Sequence, residues 1–162
     1  MDRSPTYIIR PAQKEDNKTI LTFIKELALY EKLEDKVVAN EEDINKTLFC
    51  ANPKAEVLIL EADSKPAGFA LFFYNYSTFL CKHGIYIEDI YVREEYRGYG
   101  YGKALLKHIC AIAKEKDCGR VEWGCLDWNE PSINFYLKLG AHPQSDWTLY
   151  RLSKDEIEKI VE

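Results

Sequence analysis

The sequence predicts an α/β fold: one mixed central β-sheet flanked by helices, in a single domain spanning residues 1–162. Three observations carry this. A chain of 162 residues falls within the about 100–200 residues of one ordinary domain. Short β-prone runs alternate with amphipathic segments in the order β-α-α-β-β-β-α-β-α-β-α. No internal repeat, low-complexity stretch or linker interrupts that order. With 46% hydrophobic and 30% charged residues, the composition is that of a folded globular protein.

Tyr7-Ile8-Ile9-Arg10 is a strand stopped by Pro11. Ile20, Leu21, Phe23, Ile24, Leu27, Ala28 and Leu33 then recur at three- and four-residue steps, which predicts an amphipathic helix. Asn40 and Asp43 cap a short second helix carrying Ile44 and Leu48, ended by Asn52-Pro53. Val57–Leu60 and Gly68–Tyr74, joined by Asp63-Ser64-Lys65-Pro66, form a hairpin. Tyr86–Val92 is a further strand. After a glycine-rich turn comes a helix from Ala104 to Ala113 that Gly119 is placed to end. Val121–Cys125 supplies another strand, and Asn129-Glu130-Pro131 opens a helix running to Gly140. Trp147–Leu152 reads as a final strand, and Ser153 with Glu156 has the capping-box spacing that starts a short C-terminal helix.

Charge and composition exclude several functions. Lys and Arg total 22 against 27 Asp and Glu, a formal net charge of −5, so nothing attracts phosphate backbones or anionic lipid at long range. A small cationic partner matches this surface better than nucleic acid or membrane. No signal-peptide pattern and no run near the ~20 apolar residues of a membrane span occurs, so the expected location is cytoplasmic. Five cysteines without a C-x-x-C pair and three scattered histidines imply reduced thiols and no metal site.

Gly98, Gly100 and Gly102 allow the backbone to take positive φ and to approach a ligand closely. The first N–H groups of the helix that follows are unpaired and carry the positive end of its dipole, a fit for pyrophosphate. Neither G-x-G-x-x-G nor the Walker pattern is present.

The stretch from Glu88 through Val92 and Arg97 to Gly102 resembles the acetyl-CoA motif of the GCN5-related N-acetyltransferase (GNAT) superfamily. That motif is Arg/Gln-x-x-Gly-x-Gly/Ala after a hydrophobic strand, and Arg97, Gly100 and Gly102 hold its fixed positions. Ile9-Arg10-Pro11-Ala12, Ile24–Ala28 with Tyr30-Glu31, and Asp127–Tyr136 extend the similarity to the branch of diamine (spermidine/spermine) and thialysine acetyltransferases. The resemblance implies a GNAT acyl-CoA N-acyltransferase fold and direct transfer of acetyl from acetyl-CoA to a primary amine of a small cationic substrate, without a metal, in a homodimer. It implies Glu88 as the proton acceptor and Tyr136 as the group that protonates the departing thiolate. A free alkylamine with a pKa near ~10 arrives charged and must lose a proton before it attacks, which a nearby carboxylate serves.

The same resemblance places pantetheine along the backbone of Ile90, Tyr91 and Val92, and pyrophosphate around Arg97, Gly98, Tyr99, Gly100, Tyr101, Gly102 and Lys103. Asn129, Glu130, Pro131, Ser132 and Asn134 complete the cofactor contacts. Tyr30, Glu31, Glu88, Asp89, Asp146 and Trp147 match acceptor-site positions. Ser77 stands where the polyamine enzymes carry an acid, as in thialysine-type members. Two other functions remain compatible with the sequence: acetylation of a protein N-terminus or lysine, and a non-catalytic acyl-CoA sensor.

Overall fold

The computed structural model describes residues 6–162. Its contacts divide the chain into two compact units, one ending at Gly124 and the other Cys125–Glu162.

The first unit is a five-stranded sheet in the order β1-β2-β3-β4-β5, formed by Tyr7–Pro11, Glu56–Ala62, Lys65–Ser77, Lys82–Val92 and Val121–Trp123. The first four strands pair antiparallel. The crossover through helix α3 (Tyr101–Glu115) makes β5 parallel to β4, so the sheet is mixed, as expected. Helices α1 (Asn17–Tyr30) and α2 (Glu41–Leu48) lie in the connection between β1 and β2.

Strand alternation sends side chains to two cores. Phe23 of α1 and Ile44 of α2 pack with Val57, Ile59 and Phe69 on one face. Leu105 and Ile109 of α3 pack with Leu58, Leu60, Phe72, Ile85 and Ile87 on the other. Phe23 stacks on Phe69 with ring centroids 5.2 Å apart, and truncating such a ring costs about 3–5 kcal/mol. Arg10 ties β1 to its surroundings, donating to both Asp16 oxygens and to Glu61. Hydrogen bonding from Arg10 holds the Asp16 carboxyl below its ordinary range.

Predicted caps are found where their chemistry requires them. Asn40 accepts from Asp43 N–H while Asp43 accepts from Asn40 N–H. The β2–β3 turn is tighter than expected: Asp63 and Ser64 both take positive φ, and Lys65 and Pro66 already belong to β3. Helix α3 ends earlier than Gly119. Asp117 takes the left-handed position at φ 53, and Cys118 N–H bonds back to Ala113 O at 2.8 Å, a closure more often given to glycine.

The second unit holds α4 (Glu130–Lys138) and α5 (Lys154–Val161). Asn129 caps α4 by accepting from Ser132 N–H, and Glu156 accepts from both the N–H and the hydroxyl of Ser153 at the start of α5. The expected strand Trp147–Leu152 is not formed. No strand pairs with it among the described residues, and Trp147, Leu149 and Tyr150 are exposed. Strand propensity becomes strand only when a ladder satisfies the backbone.

Candidate active site

Two adjacent acids break the register of β4. Ile90 pairs with Ala70 and Asp89 with Leu71, but Phe72 pairs with Ile87, so Glu88 is the extra residue of a β-bulge. The bulge inverts the side-chain alternation downstream of it. Ile85 and Ile87, then Ile90 and Val92, all pack in the core beneath α3, whereas Tyr91 packs against the α1 core. The sequence contains the signal: apolar positions at 85, 87, 90 and 92 shift phase by one residue.

The bulge leaves Glu88 exposed and Asp89 partly buried. Burial, then the charges of Glu88 and Glu31, push the Asp89 carboxyl up to about 6. Burial also raises the Glu31 carboxyl. The three carboxylates Glu31, Glu88 and Asp89 therefore act on a common space, and their mutual repulsion is a field that a cation would relieve.

Glu31 is set by the end of α1. Leu33 N–H bonds to Ala28 O at 2.8 Å and Lys32 N–H to Leu29 O at 3.1 Å, with Lys32 in the left-handed region at φ 60. Tyr30, the last helical residue, lies under the guanidinium of Arg97, 4.9 Å from its ring centroid.

β5 pairs with β4 only at Ile85, Tyr86 and Ile87. From Asp89 to Val92, β4 keeps its β3 ladder while β5 no longer pairs with it. That edge offers backbone donors and acceptors to an extended amide chain, the chemistry of pantetheine. Gly68 permits the tight β3 approach there, since a Cβ on it would lie 2.5 Å from the Tyr91 carbonyl oxygen.

The turn beyond β4 fits a pyrophosphate. Gly98 and Gly100 have φ of 85 and 81, and a Cβ on either would meet open space. Gly100 is the N-cap of α3, and no side chain caps that helix. α2, α4 and α5 carry acids in their first turns, but α3 carries none and has Lys103 there instead. Tyr101 is buried at the first helical position, in ring contact with Tyr99, and Gly102 follows within the helix. Arg97 donates its Nε–H to Val92 O at 3.0 Å.

In the second unit, Glu130, Pro131, Ser132, Asn134 and Tyr136 share α4, with Asn129 at its cap. Tyr136 lies near the C-terminal end, its ring 5.3 Å from that of Phe135 and its carbonyl accepting from Ala141 N–H. Asp146 and Trp147 occupy a turn in which Trp147 N–H donates to Gln144 O at 3.2 Å.

Ser77 ends β3. Its side chain is 6% exposed and its Oγ accepts from Leu80 N–H, shaping the β3–β4 turn. From the bulge partner Phe72 to Ser77 is five residues of β3, roughly 17 Å at ~3.3 Å per residue. The bulge, the raised Asp89 and the Arg97–Tyr30 stack are features that residue-by-residue reading missed.

The Acetyltransferase (GNAT) family matches residues 25–141. An L-ornithine N5-acetyltransferase of Arabidopsis thaliana is 34% identical, over 94% of this chain and 86% of its own. A thialysine N-epsilon-acetyltransferase of Bos taurus is also 34% identical, over 94% of this chain and 96% of its own. Among solved structures, an integron cassette protein from the mobile metagenome of V. cholerae superposes with a TM-score of 0.81 at 25% identity, covering 96% of this chain and 98% of its own. With this mixed sheet, its bulge and its uncapped glycine turn, the chain belongs to the GNAT acetyltransferase family and is an acetyl-CoA-dependent N-acetyltransferase.

Proposed function

We propose that residues 1–162 form one catalytic domain that acetylates the terminal amine of a lysine-like amino acid, with diamines and polyamines as the alternative acceptors. The observation that carries this reading is the set of three acids, Glu31, Glu88 and Asp89, whose fields converge at the β4 bulge. Such a set suits a cation, and the relatives named for L-ornithine and thialysine act on amines carried by an amino acid. Tyr30, Asp146 and Trp147 complete the acceptor side in this reading.

Acetyl-CoA supplies an activated acetyl thioester. The β4 edge at Ile90, Tyr91 and Val92 holds its pantetheine, and residues 97–103 with the first turn of α3 hold its pyrophosphate. Asn129, Glu130, Pro131, Ser132 and Asn134 contribute from α4. Glu88 and Asp89 work as a pair on the amine proton. Asp89, with a proton affinity raised toward neutrality, is the better-matched acceptor for an acid of pKa near ~10. Glu88, exposed on the bulge, passes the proton to water. The freed lone pair attacks the thioester carbonyl, while backbone N–H groups of 90–92 donate to the oxygen on which charge builds. As the carbon–sulfur bond breaks, the Tyr136 hydroxyl protonates the leaving thiolate, and the second proton shed by the acetylated nitrogen as the amide forms restores the phenol.

Five free cysteines suit a reducing compartment, which supports cytoplasmic residence. Among the described residues no helix is long and apolar enough to cross a membrane. The protein works as a homodimer in this reading, as the sequence resemblance implies, and exposed apolar side chains such as Trp147, Leu149 and Tyr150 suit it. Light scattering at micromolar concentration tests it, a monomer mass being the contrary result.

The activity is tested by release of free CoA over a panel of lysine, ornithine, thialysine, diamines, spermidine and peptides. Highest kcat/KM with the lysine-like amino acids is expected. Turnover confined to peptides would mark a protein acetyltransferase, and tight acetyl-CoA binding without turnover would mark a sensor.

A further inference from the structure

Arg97 begins the cofactor turn, yet its side chain does not point only to an anion. Its Nε–H donates to Val92 O at 3.0 Å. Its guanidinium carbon lies 4.9 Å from the Tyr30 ring centroid and 5.7 Å from that of Tyr91. A planar cation against two aromatic rings, anchored by a backbone carbonyl, is a defined orientation even on an exposed residue. The two rings belong to different elements, Tyr91 to β4 and Tyr30 to the last turn of α1. Glu31 follows Tyr30 directly, at a helix end that is closed through a left-handed lysine rather than a glycine. A non-glycine residue in that conformation is strained, so the position of Glu31 depends on what holds the end of α1.

We propose that Arg97 is a positioning residue: by stacking on Tyr30 while tethered to Val92, it clasps the end of α1 to β4 and so sets where the Glu31 carboxylate stands for the amine. This deepens the reading above and rests on it, because Glu31 matters only if a cationic amine is the acceptor. The guanidinium thus serves the amine side of the reaction from within the cofactor turn. Lysine keeps the charge but has neither the planar face nor the Nε donor.

The test compares wild type with Arg97→Lys, Tyr30→Leu, Tyr30→Phe and the Arg97→Lys/Tyr30→Leu double variant, using the best amine of the panel and matched thermal midpoints. Arg97→Lys, which keeps a positive charge at the turn, is expected to raise KM for the amine about 3–5-fold at saturating acetyl-CoA, with the acetyl-CoA Kd measured by calorimetry for each variant so that any loss at the cofactor turn is read separately. Tyr30→Leu should produce the same rise, Tyr30→Phe should restore most of it, and the double variant should be no worse than either single one. A weakened acetyl-CoA Kd with unmoved amine KM would make Arg97 an anion ligand only, and additive losses would dissolve the clasp. If wild type turns over no amine, the functional reading fails separately. The clasp is then read from amide exchange at Glu31, Lys32 and Leu33: faster exchange in Arg97→Lys supports it, and unchanged exchange overturns it.

Discussion

The two halves of β4 differ in what their edges are for. From Lys82 to Ile87 the strand is structural, laddered to β3 along its length and joined by β5 at Ile85–Ile87. Beyond the unpaired Glu88, Asp89 to Val92 keep the β3 ladder without β5, and the strand carries two successive acids at the point of change. One inserted residue separates the halves, and because strand alternation has period two, that residue changes side-chain direction without sacrificing the core. The fold thus leaves polar backbone and carboxylates at the edge proposed for acyl transfer while Ile90 and Val92 stay packed.

Deleting Glu88 is the severest way to erase this difference. Ile87 would then be followed by Asp89 and Ile90 in regular alternation, with Ile85, Ile87, Ile90 and Val92 still on one face. The deletion should therefore fold, with stability by urea denaturation within about 1–2 kcal/mol of wild type. Its kcat/KM should fall at least ~1000-fold, since a carboxylate and the aim of the oxyanion donors are lost together. A folded deletion variant with near-normal activity would show that the bulge does not build the site.

Tyr136→Phe sharpens the comparison by sparing β4 and weakening only the departure of thiolate. Its kcat should drop roughly 10–100-fold with acetyl-CoA affinity retained, as measured by steady-state kinetics and calorimetry. Gly100→Val attacks the turn that follows the functional half. A β-branched residue at φ 81 is strained, and its side chain would fill the space reserved for the cofactor. Acetyl-CoA should bind more than tenfold more weakly, a loss above about 1.4 kcal/mol.

A fourth effect concerns stability. Asp89 ionises near pH 6 in the folded protein, against about 3.9 in an unfolded chain. Between those values the folded state binds more protons, so the Asp89 contribution falls as pH rises from about 4 through 6. Asp89→Asn removes that loss. The variant should match wild type near pH 4 and be more stable by about 2 kcal/mol above pH 7, as read from denaturant midpoints, while losing activity.

Local chemistry made much of this fold legible. Asn40 and Asn129 start helices because their side chains accept from N–H groups three residues on, and at Ser153 the Glu156 side chain accepts from the cap N–H, interactions that sequence spacing displays. Helix α1 was readable because Ile20, Phe23 and Leu27 repeat at helical steps. What was not readable depends on distant partners. Trp147–Leu152 has the residues of a strand without a ladder, and Asp117 closes α3 where Gly119 was expected. The site divides along the same line. Arg97, Gly100 and Gly102 are read from the motif as proposed cofactor contacts, whereas the Asp89 proton affinity required knowing that burial, Glu88 and Glu31 converge on it.

The most direct test is kcat/KM for the preferred amine across pH 5–10, with acetyl-CoA saturating, in wild type, Glu88→Gln and Asp89→Asn. Wild type should rise through an apparent pKa near 6, that of Asp89, then flatten. Glu88→Gln should be slower at neutral pH and recover in part toward the amine's own pKa, and Asp89→Asn should lose the inflection near 6. If both variants keep the wild-type rate and profile, proton removal does not occur at the bulge, and the division of β4 into a structural and a catalytic half is wrong.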